Sequence, residues 1–191
     1  MVERAHNIVS SESEELILVD ANDVEIGTLS KAACHDGDGV LHRAFSLFIF
    51  NSRGELLLQQ RSAAKRLWPL FWSNSCCSHP RAGETMDEAV GRRLHQELGL
   101  SGELEFIYKF AYTARFGEEG SENELCSVFL GRTDESAIAN ANEIAGVRYV
   151  TAEQLDRELV AEPERFTPWF RMEWERLRTD FADRIGTYLK G

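Results

Sequence analysis

Basic residues are in short supply: 21 Lys and Arg stand against 32 Asp and Glu, a formal net charge of −11 at pH 7. That excludes a general nucleic-acid or anionic-membrane surface, because phosphate contacts need clustered Lys and Arg. A small anionic substrate is not excluded, since it needs only a local basic pocket. No apolar run approaches the length of a membrane span and the N-terminus carries no signal-peptide core, so the expected location is the cytoplasm. Cysteine is also sparse. The four are Cys34, Cys76, Cys77 and Cys126, two of them adjacent, which is not the spacing of a secreted disulfide framework. There is no Cys-x-x-Cys, so a structural zinc ribbon is not expected. Repeats and linkers are missing too, which leaves one domain.

What is present is enough to fold. At 191 residues, 43% hydrophobic and 10% aromatic, the chain can bury a substantial core. Residues 1–13 are polar and are expected to be a loose tail, with one domain over 14–191. Strands are expected at Glu15–Asp20, Leu41–Phe50, Phe106–Ala114, Glu124–Gly131 and Gly146–Val150. Turn chemistry at Asn51-Ser52-Arg53-Gly54 predicts a hairpin joining the second of these to Glu55–Arg61. Thr85-Met86-Asp87-Glu88 has the form of a capping box, Val90, Leu94 and Leu98 repeat at helical spacing, and Gly99 suits the stop. Thr151-Ala152-Glu153-Gln154 reads as a second box, and Thr167-Pro168 opens the last expected helix. The fold class is α/β (α+β): a mixed sheet sandwiched by helices.

The tract Ser73–Glu84 is the richest in chemistry. It places Cys77, a candidate acid, base or nucleophile, two residues from His79, a candidate metal ligand. His35 and His42 lie upstream. Glu122 and Glu124 lie downstream, two apart on an expected strand, so both carboxylates face one side. Three imidazoles and two carboxylates would suit Mn, Fe or Zn better than Ca or Mg. Spacing alone does not show that they converge: taken singly they are a solvated loop histidine and surface acids, and Cys77 is equally a small buried hydrophobe. Arg93 and Glu97 form an ordinary i, i+4 pair, or Glu84 and Glu97 flank a cation. Lys31, Arg61, Lys65 and Arg93 are either surface charges or a grip on a phosphate group. Trp68, Trp72, Tyr112, Phe116 and Trp169 are core by default, although an aromatic face also stabilises a carbocation.

Ser78–Leu100 resembles an altered Nudix box, G-x5-E-x7-R-E-U-x-E-E-x-G-U with U a bulky apolar residue. Glu84, Arg92, Leu94, Glu97, Gly99 and Leu100 fall in register, whereas Ser78, Arg93 and Gln96 replace the first Gly and two of the acids. The loss of those acids breaks the cluster that holds magnesium in the hydrolases. Six tracts together resemble the type 1 isopentenyl-diphosphate isomerase family: Lys31–His35, Leu41–Ser46, Leu57–Arg61, Trp72–Pro80, Glu122–Glu124 and Thr167–Trp169. The resemblance implies a Nudix-type fold and an Mn²⁺ or Zn²⁺ held by His35, His42, His79, Glu122 and Glu124. It further implies a Mg²⁺ that joins the substrate diphosphate to Glu97. Cys77 and Glu124 match the proton-handling residues, and Tyr112 an assisting phenol. Lys31, Arg61, Lys65 and Arg93 match positions that hold the diphosphate, and Trp169 matches the lining of the hydrocarbon pocket. The implied reaction interconverts isopentenyl and dimethylallyl diphosphate, with a monomer as the expected state and no nucleic-acid or membrane partner. The Cys-Ser-His sequence departs from the Cys-Gly-His form of some members, and Ser78 narrows the local backbone freedom. A Nudix pyrophosphohydrolase is the rival enzyme, and a non-catalytic metal- or nucleotide-binding module the rival outside catalysis.

Overall fold

The computed structural model describes residues 8–190. Its centre is a single nine-stranded mixed sheet. The strands are β1 (Glu15–Val19), β2 (Glu25–Ser30), β3 (His42–Phe50), β4 (Leu56–Arg61), β5 (Trp72–Ser73), β6 (Cys76–Ser78), β7 (Leu104–Phe116), β8 (Gly120–Arg132) and β9 (Ile144–Val150). The helices are α1 (Lys31–Cys34), α2 (Met86–Leu98), α3 (Ala152–Ala161), α4 (Pro168–Thr179) and α5 (Ala182–Leu189), with a 3-10 turn at Pro163–Arg165.

β3 organises the sheet. Along one edge it pairs in parallel with β8 from His42↔Glu124 to Phe50↔Arg132. Along the other it meets three partners in turn: β1 at His42, β6 at Phe45 to Leu47, and β4 at Phe50. Both faces of β3 are covered, which is why its residues read as a nearly unbroken apolar run rather than an alternation. Ala44, Phe48 and Phe50 pack with Trp169, Phe170 and Trp174 of α4 on one side. Phe45, Leu47 and Ile49 pack with Val90, Leu94 and Leu98 of α2 on the other. Successive side chains on a strand point to opposite faces, so these two cores follow directly from odd and even positions.

α2 forms as its sequence predicts. The Thr85 side chain and Glu88 complete a reciprocal capping box, and Gly99 takes the left-handed conformation at φ 66°. The second box closes only halfway: the Thr151 hydroxyl accepts from the Gln154 N–H at 3.2 Å, while the Gln154 amide donates to Glu158.

Four expectations are corrected. The turn after β3 forms, with Gly54 N–H donating to the Asn51 carbonyl, but β3 and β4 share one registered pair and no hairpin ladder. Along its other edge β4 runs antiparallel to β9 from Leu56↔Val150 to Arg61↔Ile144. The segment 72–78 inserts between β3 and β4, with the Ser75 hydroxyl accepting from the Ile49 N–H at 2.8 Å and donating to the Leu57 carbonyl at 2.6 Å, and turn chemistry carries no information about that insertion. β2 and α1 occupy residues 25–34, between the first two expected strands, where no element is expected, with the Ser30 hydroxyl capping α1 through the Ala33 N–H. The helix opened by Thr167-Pro168 is not the last, because α5 follows it and buries Ile185 against the α4 side of the sheet. The tail expected through residue 13 is, from Ile8 onward, tied down: Ala32 N–H donates to the Glu12 carbonyl at 3.0 Å, and Arg93 donates to the Val9 carbonyl. Residues 1–7 of that expected tail lie outside the described residues.

Candidate active site

Strand register builds the centre of the site. His42 of β3, Glu124 of β8 and Tyr112 of β7 lie in one row, because His42↔Glu124 and Tyr112↔Glu124 are direct pairs. Glu122 lies two residues from Glu124 and so shares its face. Ser46 lies four residues from His42, again on that face, and it pairs with Cys77 of β6. Cys77 therefore lies on the same face of the sheet while Cys76 turns into the opposite core. Ser78 is extended in β6 opposite Phe45, so this position makes no demand that only glycine could meet.

The donor atoms of His35, His42, His79, Glu122 and Glu124 all lie within 4.8 Å of one another. Backbone carbonyls fix two of the rings: His35 Nδ1 bonds to the Lys31 carbonyl at 2.6 Å and His42 Nδ1 to the Val40 carbonyl at 2.7 Å. Each Nδ1 thus carries its proton outward and leaves Nε2 facing the centre, the way a backbone carbonyl orients a metal-binding histidine. His35 Nε2 lies 2.8 Å from Glu122, and His79 Nε2 lies 2.8 Å from Glu124. His42 Nε2 is buried without a hydrogen-bond partner, a cost that a bound cation would remove. The donor set and this orphaned nitrogen fit a transition-metal ion.

Electrostatics around the cluster are divided. Burial and the neighbouring His35 depress His42 to about 4. Burial, with His42 and His35 beside it, holds His79 well below the ordinary imidazole value. Burial also opposes the charge on His35, but Glu122 outweighs it and raises that imidazole. Glu122 falls to about 2 despite its burial, through His35, whereas burial and the Glu122 charge push Glu124 well above the carboxylate range. The two carboxyls are thus pushed in opposite directions, the kind of split that acid–base work uses. The Tyr112 hydroxyl donates to Glu124 Oε2 at 2.6 Å. Burial raises the Cys77 thiol to about 12, opposed by Arg61, whose Nη1 lies 3.9 Å from the sulfur.

All of these groups except the fully buried His42 line a cavity of about 350 Å³ that also receives Lys31, Arg61, Lys65, Arg93 and Trp169. Arg61 is held by the carbonyls of Leu67 at 2.9 Å and Trp68 at 3.1 Å, and its guanidinium stands 5.2 Å from the Trp169 ring centre. Trp68 meets Trp169 edge-on at 5.2 Å, fixing the indole. Of the sequence candidates, Glu84 does not join the site; it binds Arg92 at 2.5 and 2.7 Å across the start of α2. Nor are Arg93 and Glu97 a surface pair: their side chains are 1% and 3% exposed, and Glu97 sits behind Arg93. Sequence reasoning missed Glu143, Arg66 and the wall made by Ile8, Ser10 and Glu12. None of these lies in a periodic segment or a chemically distinctive motif, so nothing local marked them.

Residues 40–170 match the NUDIX domain family. The chain is 40% identical to Isopentenyl-diphosphate Delta-isomerase 1 of Photorhabdus laumondii over 174 residues, 90% of this chain and 99% of that protein. It is 43% identical to Isopentenyl-diphosphate Delta-isomerase of Serratia proteamaculans over 157 residues, 82% and 87% of the two chains. This chain belongs to the isopentenyl-diphosphate Delta-isomerase family, within the NUDIX fold. Among solved structures it is similar to DR0079 from Deinococcus radiodurans, with a TM-score of 0.65, 27% identity and coverage of 78% and 90%. The MutT protein of Methanosarcina mazei shares the fold, with a TM-score of 0.61 at 20% identity and coverage of 73% and 94%. The family supplies the context for the altered box: Gln96 accepts from Arg92 at 3.3 Å and so supports the Glu84–Arg92 pair. Among the described residues, the grouped metal donors are those of the histidine–glutamate cluster and not those of α2.

Proposed function

We propose that this enzyme interconverts isopentenyl diphosphate and dimethylallyl diphosphate through a tertiary carbocation. The observation that carries the reading is the meeting of the Cys77 thiol and the Glu124–Tyr112 pair in one cavity with four cations and Trp169. A double-bond shift needs a proton added at the terminal methylene carbon and another lost from the allylic carbon. An unactivated alkene is a poor base, so the acid must be held against it with water kept out. Glu124, bearing a proton and hydrogen-bonded by Tyr112, delivers it to the methylene carbon, and Cys77, as the thiolate that the Arg61 guanidinium beside it favours, receives the allylic proton and becomes the thiol. The labels exchange for the reverse reaction. Trp169 faces the cationic carbon. Lys31, Arg61, Lys65 and Arg93 grip the diphosphate, whose remote binding energy holds the small apolar tail in place.

His35, His42, His79, Glu122 and Glu124 would hold Mn²⁺ or Zn²⁺, and Glu97, paired behind Arg93, would contribute its charge toward a Mg²⁺ carried with the diphosphate. When bound, these ions supply charge that acidifies the Glu124 proton and neutralises the phosphates. Ser78 leaves the reaction class unchanged. The enzyme works as a monomer on its small substrate, which a sizing measurement would check.

The test is turnover of isopentenyl diphosphate in D₂O by wild type and Cys77→Ala, with and without chelator. Deuterium-labelled dimethylallyl diphosphate from wild type alone, abolished by chelator, is the expected result. Released phosphate or monophosphate would assign the chain to hydrolysis instead.

A further inference from the structure

The cations that line this small pocket repel one another; backbone carbonyls hold Arg61, and acidic neighbours help to keep the others in place before substrate arrives. Lys31 has Glu12 at 3.0 Å and Ser10 at 2.7 Å. Arg93 has Glu97 behind it. Lys65 has Glu143, which is only 2% exposed, lines the cavity, and also lies 3.6 Å from Arg93 Nη2. Among the described residues, Glu143 is thus the carboxylate that pairs with two of the proposed phosphate-binding cations.

Its backbone is fixed as firmly as its side chain. The Glu143 N–H donates to the Asn140 carbonyl at 2.9 Å, and Asn140 N–H donates to the Glu97 carbonyl at 2.8 Å. On the other side the Glu143 carbonyl accepts from Ser62 N–H at 2.9 Å, and the Ser62 carbonyl accepts from Lys65 N–H at 3.1 Å. The loop before β9 therefore ties the end of α2, which bears Arg93, to the turn after β4, which bears Lys65. We infer that Glu143 is a positioning residue: it sets Lys65 and Arg93 as a fixed fork that fixes where the diphosphate seats, and hence where the carbon tail meets Cys77 and Glu124. The inference rests on the isomerase reading. It adds a residue that no sequence pattern marked.

The charged groups around Lys65 are Glu143 before β9, Glu97 on α2, Arg61 on β4 and Lys31 on α1. Burial pushes the Lys65 ammonium down and Glu143 is the largest influence holding it up. Glu143→Gln keeps the shape and removes that support, so Lys65 should lose its proton at lower pH. A seat displaced by an ångström can cost up to about a hundredfold in rate.

The experiment measures kcat, the pH profile of kcat/KM, and inorganic pyrophosphate affinity by calorimetry. For Glu143→Gln the expected result is a kcat about tenfold or more below wild type at pH 7, with pyrophosphate affinity not weakened. The alkaline limb of its kcat/KM profile should move about one pH unit or more toward acid. In Lys65→Arg/Glu143→Gln that displacement should vanish, because a guanidinium does not titrate in this range. Should Glu143→Gln not fold, Glu143→Asp, with its shorter reach, should lower kcat at least threefold with pyrophosphate affinity intact. An alkaline limb that stays in place in Glu143→Gln, or a Glu143→Asp kcat equal to wild type, overturns the assignment. Wild-type protein that binds pyrophosphate but produces no dimethylallyl diphosphate would instead overturn the isomerase reading on which it rests.

Discussion

Tyr112→Phe isolates one bond at the centre of the proposed chemistry. The Tyr112 hydroxyl donates to Glu124 Oε2 at 2.6 Å, within the short range of charge-assisted O–H···O bonds. Such a bond contributes about 1.5–3 kcal/mol. If it forms fully only as Glu124 gives up its proton, its loss slows kcat about 10- to 150-fold, at 1.36 kcal/mol per factor of ten. The ring itself stays: phenylalanine keeps the stacking on Phe110 at 5.4 Å and the contact with Trp169 at 6.4 Å. Glu124 Oε1 keeps His79 at 2.8 Å. Stability should therefore fall by only about 1 kcal/mol, a Tm change of about 2–4 °C for a chain of this length. KM should stay near wild type, because the proposed diphosphate grip does not include Tyr112. Steady-state turnover of isopentenyl diphosphate and a thermal melt make the measurement. A kcat within twofold of wild type would show that the phenol takes no part in proton transfer, and a loss confined to KM would place it in binding instead.

Other consequences are open to direct test. Stripping the protein with chelator and titrating Mn²⁺ or Zn²⁺ should show one tight site that raises Tm, and His42→Ala should weaken it at least 10- to 100-fold; unchanged stoichiometry and affinity would rule His42 out as a ligand. Burial raises Glu173 from the ordinary 4.5 to about 8, so the folded state holds a proton that the unfolded state has lost between those values. Stability should accordingly fall as pH rises from about 4.5 to 8, by on the order of a few kcal/mol. Glu173→Gln should flatten that slope in denaturant titrations, and parallel curves for the two proteins would contradict it. Glu12 pairs with Lys31 at a partly exposed position, where such pairs contribute at most about 1 kcal/mol. Glu12→Gln should release Lys31 and lower KM about two- to fivefold, and a raised KM would mean that Glu12 aids binding rather than competing with it.

By itself the sequence determined the pieces whose physics is local. The cap at Thr85, the left-handed stop at Gly99 and the apolar stripe of Val90, Leu94 and Leu98 need only neighbours within a few residues, so they were legible in advance. The same holds for Glu122 and Glu124 facing one way, and for Cys76 and Cys77 facing opposite ways, because strand alternation has period two. Resemblance of six tracts added the ligand set and the proton carriers.

Tertiary structure decided what had to be measured across the sheet. That His42, Glu124 and Tyr112 share a row depends on the register of β3, β8 and β7, which is fixed by packing of both faces and leaves no mark at any single position. The fold also parted β4 from β3 after one registered pair by inserting β5 and β6 between them, while the other edge of β4 took β9. It brought Glu143 under Lys65 and Arg93, and laid Ile8, Ser10 and Glu12 against the pocket, from segments whose composition reads as ordinary loop and tail. The physical reason is common to all of these. Periodicity and capping are short-range and repeat along the chain, whereas a buried ion pair between distant segments is chosen once, by the space and charge that the finished fold leaves open.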